Sequence, residues 1–86
     1  MRVRVGSLLH RYTDGVSYLE AEGATLRDVL EDLESRHVGM RFRVIDEQDR
    51  IRRHICIFVG EDMAADLEHP VRDADMVHIL GALSGG

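Results

Sequence analysis

Few residues in this chain have types that could do chemistry. The last two, Gly85 and Gly86, end in a carboxylate, and with no side chains they can enter a narrow channel and adopt backbone angles other residues resist. Extended from Leu80 to Gly86, the segment reaches about 20 Å at roughly 3.3 Å per residue. A terminal glycine pair alone is weak, since chain ends commonly fray. Here it follows an apolar, strand-like run and the small residues Gly81, Ala82 and Ser84. That shape would carry the Gly86 carboxylate into the active site of another protein.

The other candidates point away from chemistry within the chain. Cys56 sits between Ile55 and Ile57, without the positive charge or helix N-terminus that activates a thiol, and reads as a small apolar filler. His10, His37, His54, His69 and His78 lack zinc-ligand spacing, so no metal site is expected. The acidic turn 46–49 lacks the spacing and glycine of a calcium loop. No serine lies in a nucleophile motif, and no glycine-rich phosphate loop precedes a helix. No bound cofactor is expected.

Composition sets the frame for these residues. Eighty-six residues imply one domain over 1–86, with a flexible tail from about residue 81, and a chain this short buries only about 60% of its unfolded surface. At 44% hydrophobic and 31% charged it reads as an ordinary globular chain, without an apolar run long enough to span a bilayer. Met1 to Val5 alternates instead of forming the apolar core of a signal peptide, which points to the cytoplasm and away from membranes. A single cysteine excludes an internal disulfide. The net charge of −5 argues against nucleic acid and suits a partner with a basic docking surface. All eleven basic residues are arginines, which base composition explains simply. Arg50, Arg52 and Arg53 read as a solvated strand edge, with partner contact as the alternative.

The elements that must position the tail follow from periodicity. Residues 2–9 open with Val3 and Val5 alternating with Arg2 and Arg4, a half-buried strand. Thr13-Asp14-Gly15 supplies a hairpin turn, and 16–22 returns as a second strand. Thr25, with Asp28 three residues on, resembles a capping box. Leu26, Val29, Leu30 and Leu33 then form one apolar helical stripe, closed by His37-Val38-Gly39 with Gly39 as a left-handed cap. Residues 40–46 fit a strand or a short helical turn. Ile51 to Val59 is the most strand-like run, and a last strand runs from Met76 to about Leu80.

This order implies an α+β fold, a mixed four- to five-stranded sheet with one main helix across one face, and first and last strands adjacent in the middle. With Ile55, Ile57, Val59, Val77 and Ile79 facing the helix, Phe58, His78 and Leu80 fall on the outer face. Exposed, they would dock a partner; the alternative is that loop 62–70 covers them.

The opening VRVGSLL, the GATLRDVLEDLESRH helix, the DEQDRIRRHICIFVGEDM block and the DADMVHILGALSGG ending resemble the MoaD/ThiS family of ubiquitin-like β-grasp sulfur carriers over essentially the whole chain. Two departures are Gly60-Glu61, where the family often has Asn-Gly-Glu, and Asp73-Ala74-Asp75, where Asp-Gly-Asp is usual. The resemblance implies a carrier that supplies no catalytic groups. A MoeB/ThiF-like enzyme would use ATP to adenylate Gly86, and a sulfur donor such as a cysteine desulfurase or rhodanese would convert it to a thiocarboxylate. An acceptor enzyme, MoaE-like or other, would take the sulfur. Chain length favours a MoaD-like molybdopterin role over thiamine, with an activated serine for cysteine synthesis and a tRNA base as further acceptors. A protein modifier conjugated through Gly86, and a β-grasp interaction module with an unactivated tail, are the alternatives.

Overall fold

In the computed structural model, which describes residues 1–81, the alternating start of the chain is strand β1 (Arg2–Val5), with Val3 and Val5 buried and Arg2 and Arg4 exposed. Strand β2 (Tyr18–Glu20) pairs antiparallel with one side of β1, and strand β5 (Met76–Gly81) pairs parallel with the other. Strand β3 (Ile55–Val59) lies antiparallel against β5, and a two-residue strand β4 (Asp62–Met63) closes the far edge. The resulting order, β2-β1-β5-β3-β4, sets the first and last strands side by side at the centre. This is the expected β-grasp sheet.

The main helix, α1 (Leu26–Glu34), buries Leu26, Val29, Leu30 and Leu33 in one core with Val3, Val5, Ile55, Ile57, Val59, Val77 and Ile79. The first amides of a helix have no partner within it, and here each finds one outside. Leu26 N–H donates to the His69 carbonyl (3.1 Å) and Arg27 N–H to the Leu67 carbonyl (3.0 Å). Asp28 N–H reaches the Thr25 hydroxyl at 3.4 Å. The Asp28 carboxylate accepts from Ala24 N–H at 3.2 Å, so the reciprocal half of the capping box lands one residue before the cap. Gly23 allows this tight entry, since a Cβ there would lie 2.6 Å from the Asp28 Cβ.

Four expectations about element bounds change. The strand expected over 2–9 stops at Val5: Gly6 N–H still bonds the Ile79 carbonyl, but Ser7–Tyr12 then coils into a 3-10 helix that buries Leu9. The strand expected over 16–22 is ladder-paired only at Tyr18–Glu20. The strand expected from Ile51 begins at Ile55, and Ile51 makes only an isolated bridge to Ile45. Gly39 is left-handed as expected (φ 97°), but α1 has already ended at Glu34, and Gly39 instead opens a second helix, α2 (Met40–Val44).

Helix α2 resolves the ambiguity at 40–46. The Glu34 carboxylate accepts the N–H groups of Gly39 (2.9 Å) and Arg41 (2.8 Å), capping the new helix from the end of the old one. Met40 and Val44, one turn apart, share the buried face, while Phe42 is 59% exposed. A strand would have put all three on one side. Between β4 and β5, Ala64, Leu67 and Val71 turn into the core beside α1. No helix among the described residues is long and apolar enough to cross a membrane.

Leu30 lies at the centre of the stripe and is 1% exposed. Truncating a buried leucine loses transfer energy and leaves a cavity, so Leu30→Ala is expected to cost about 2–5 kcal/mol in denaturant titration. A cost below about 1 kcal/mol, the level of an ordinary surface change, would contradict the packing.

Candidate functional site

The sheet has two faces, and only one is filled by α1 and the core. On the other, the strand registers align one residue from each strand: Tyr18 opposite Arg4, Arg4 opposite His78, His78 opposite Phe58, and Phe58 opposite Met63. Tyr18 and Met63, at the two ends of this row, are 52% and 60% exposed. Phe58 and His78 are half-buried, as is Leu80, which pairs with Cys56 on the same face. The row thus brings Phe58 and His78 into direct register, with Leu80 two residues further along β5. Loop 62–70 does not roof this face: Met63 stays exposed, and Ala64 and Leu67 leave for the core.

Leu80 leads to the end of the described chain. A depression there is lined by Arg4, Ser7, Leu8, His54, Leu80 and Gly81. Gly85 and Gly86, with the rest of the tail after Gly81, lie outside the described residues. Sequence reasoning did not associate Arg4 or His54 with the tail, because only the parallel register of β1 on β5 and the approach of the segment before β3 bring them there. Another depression, along β2 and the end of α1, shares no lining residue with this one.

Nothing among the described residues assembles a reaction centre. Among the described residues, no group of three His, Cys, Asp or Glu side chains could hold a metal. The histidines are dispersed: His10 bonds Ser17, His37 the Tyr12 carbonyl and His54 the Arg43 guanidinium. The turn Asp73-Ala74-Asp75 is closed by Arg72 N–H on the Asp75 carboxylate at 2.8 Å, and Ala74 keeps a negative φ, so it needs no glycine there.

Charge pairing fixes the loops around the frame. Asp49, in a left-handed conformation (φ 60°), accepts from Arg27 of α1 at 3.1 Å and Arg41 of α2 at 3.0 Å. Arg27 also pairs with Glu68, so one guanidinium holds two loops to α1. The Arg27 hydrogen bond, then its charge, hold the Asp49 carboxyl below the usual range, and the bonds to Glu68 and Asp49 push Arg27 up. Asp32 is lowered first by the backbone N–H of Glu22 and then by Arg36, and Asp46 first by the N–H of Arg50.

A model described as the ThiS family matches residues 8–86. The chain belongs to the ThiS family. Sulfur carrier protein CysO of Mycobacterium tuberculosis is 30% identical over 89 residues, covering 98% of this chain and 96% of the relative. Its crystal structure superposes with a TM-score of 0.89 at 29% identity, over 95% of this chain and 98% of that one. A chain of the Amycolatopsis orientalis BexX/CysO complex gives a TM-score of 0.90 at 34% identity, over 99% and 98%. Small archaeal modifier protein 1 of Methanosarcina acetivorans, 22% identical, shares the fold (TM-score 0.79; 99% and 94% covered). As a ThiS-family β-grasp protein, the chain is a sulfur carrier of the C-terminal-glycine type, a cosubstrate and not an enzyme.

The lowered carboxyls set an acid limit on this ThiS-family frame. A group whose folded pKa lies below its unfolded value of about 4 stabilises the fold above that value and loses the contribution as pH falls through the folded pKa. Melting temperature is therefore expected to be level from neutral pH to about 5 and to fall below about 4. Asp49→Asn, which keeps a residue tolerant of positive φ, should melt lower at neutral pH and show a shallower acid decline. An unchanged acid limb would remove Asp49 from this account.

Proposed function

We propose that the Gly86 carboxylate carries sulfur as a thiocarboxylate between partner enzymes. The observation that supports this best is the family match, which extends through Gly85-Gly86 on a chain that offers no reaction centre among its described residues. The carboxylate oxygen attacks the α-phosphorus of ATP on a MoeB/ThiF-like enzyme and expels pyrophosphate. The terminal sulfur of a donor's persulfide, on a cysteine desulfurase or rhodanese, attacks the acyl carbon and expels AMP. A thiol then cleaves the acyl disulfide, leaving the thiocarboxylate and a new disulfide on the donor side.

In this reading Phe58, His78 and Leu80 dock the adenylating enzyme, and the exposed Tyr18 and Met63 extend the contact on either side. An apolar patch on an outer sheet face fits such a role. That a relative's structure is of a BexX/CysO complex supports partner binding as the working mode. For the acceptor, chain length favoured molybdopterin-type over thiamine-type synthesis. Relatives of nearly equal length are named sulfur carrier protein CysO, so length does not discriminate, and an activated serine for cysteine synthesis or a tRNA base stands beside the cofactor acceptors. The modifier alternative draws on a likeness that carries the fold alone.

Two variants test the proposal with the cognate adenylating enzyme. A chain ending at Ser84 is expected to melt with the full chain and release no pyrophosphate from ATP. Phe58→Arg is expected to remain folded by circular dichroism and to bind the enzyme at least about tenfold more weakly, the cost of about 1.4 kcal/mol. Pyrophosphate release by the truncated chain would overturn the role of Gly86, and undiminished binding by the arginine variant would overturn the docking face.

A further inference from the structure

Six of the eleven arginines are matched by a carboxylate: Arg2, Arg27, Arg36, Arg41, Arg50 and Arg72. Among the described residues, Arg4, Arg11, Arg43, Arg52 and Arg53 form no ion pair, and these five are not scattered. Arg4 lines the depression that holds Leu80 and Gly81, together with His54. Arg52 and Arg53 line a second depression with His54, and Arg43 and Arg52 a third, again with His54. Arg11 stacks on Tyr12, which borders the third. Three adjoining depressions thus meet at His54, and two of them have no acidic lining residue.

Two of these cations are held in place and not free to sweep solvent. Arg52 donates to the Phe42 carbonyl at 2.8 Å and lies over the Phe42 ring at 4.7 Å, and Arg43 contacts the His54 ring nitrogen at 3.0 Å. A chain with a net charge of −5 therefore carries a basic crescent beside the end of its last strand, with Arg43 and Arg52 held within it. The whole-chain charge suggests a basic partner; the local field at the root of the tail suggests the reverse.

We propose that this crescent, with Arg4, Arg43 and Arg53 as its contact cations, docks an acidic protein surface surrounding the channel that receives the tail. The inference rests on the carrier reading for the purpose of the tail, and adds the charge of the partner's rim. Complementary charge steers encounter and orients the docking patch, so its effect falls mainly on the association rate and on its dependence on salt. A protein occupant fits better than a nucleic acid, because the acidic remainder of the chain repels a long polyanion that extends past the crescent.

Association rates with the cognate adenylating enzyme, measured across ionic strength, test this for the full chain, Arg53→Glu and Arg72→Glu. Both arginines are exposed, and both changes alter net charge equally, but Arg72 precedes the opposite end of β5 and is paired with Asp75. Arg53→Glu is expected to slow association at low salt by about fivefold or more, the difference closing as salt rises, while Arg72→Glu stays within about twofold. Equal effects of the two changes, or none from Arg53→Glu, would overturn the crescent while leaving adenylation intact. Binding without adenylation would count against the carrier reading and not against the crescent. Arg53-dependent capture of a short single-stranded oligonucleotide, stronger than that of the enzyme, would overturn the assignment to a protein partner.

Discussion

The parallel pairing of β1 with β5 is the constraint on which the other features depend. Parallel neighbours cannot be joined by a tight turn and need a long crossover, so the chain after Val5 must travel back to the starting end of β1 before Met76, adding β2, β3 and β4 to the sheet on the way. That crossover carries α1, whose stripe covers the face made by Val3, Val5, Val77 and Ile79. With β3 on its other side, β5 is central and paired along its length, and its C-terminal end at Gly81 is held in a fixed place. A carrier needs a tail root held in place, and the paired end of β5 supplies it.

The same pairing explains what could be read from sequence. Alternation in Val3/Val5 and Ile55/Ile57/Val59, and the Leu26–Leu33 stripe, reflect burial against one core, and these elements and their inward faces were legible. Element ends were not, because long-range bonds decide them. The run Gly6-Ser7-Leu8-Leu9 is apolar enough to continue a strand, but Gly6 makes the last β5 bond and Leu9 reaches the core from a 3-10 helix. Ile51 is spaced as a strand residue yet finds only Ile45. Strand β4, two residues long, has no pattern to detect, and its pairing with β3 depends on the Gly60 turn at φ 61°.

For the candidate site, period-2 reasoning placed Phe58, His78 and Leu80 on the outer face, and the registers show which residues neighbour them. It could not show Arg4 or His54 beside Gly81, since 50 residues of separation between those two positions are closed only by the fold. Charge was misleading for a related reason. A net value averages over the surface, whereas among the described residues the ion pairs neutralise six arginines and leave five others around one end of the sheet. The acidic remainder of the chain and the basic crescent at the tail root can meet different features of one partner.

Intact-mass spectrometry reads the fate of the Gly86 carboxylate directly. The full chain is incubated with its cognate adenylating enzyme, ATP and a persulfide donor, then weighed whole and after C-terminal peptide mapping. A sulfur carrier gains one exchange of oxygen for sulfur, located at Gly86, and returns to the starting mass on hydrolysis. A chain that remains unmodified after forming its complex with that enzyme, or that accumulates only as isopeptide-linked adducts on lysines of other proteins, would contradict sulfur carriage at Gly86.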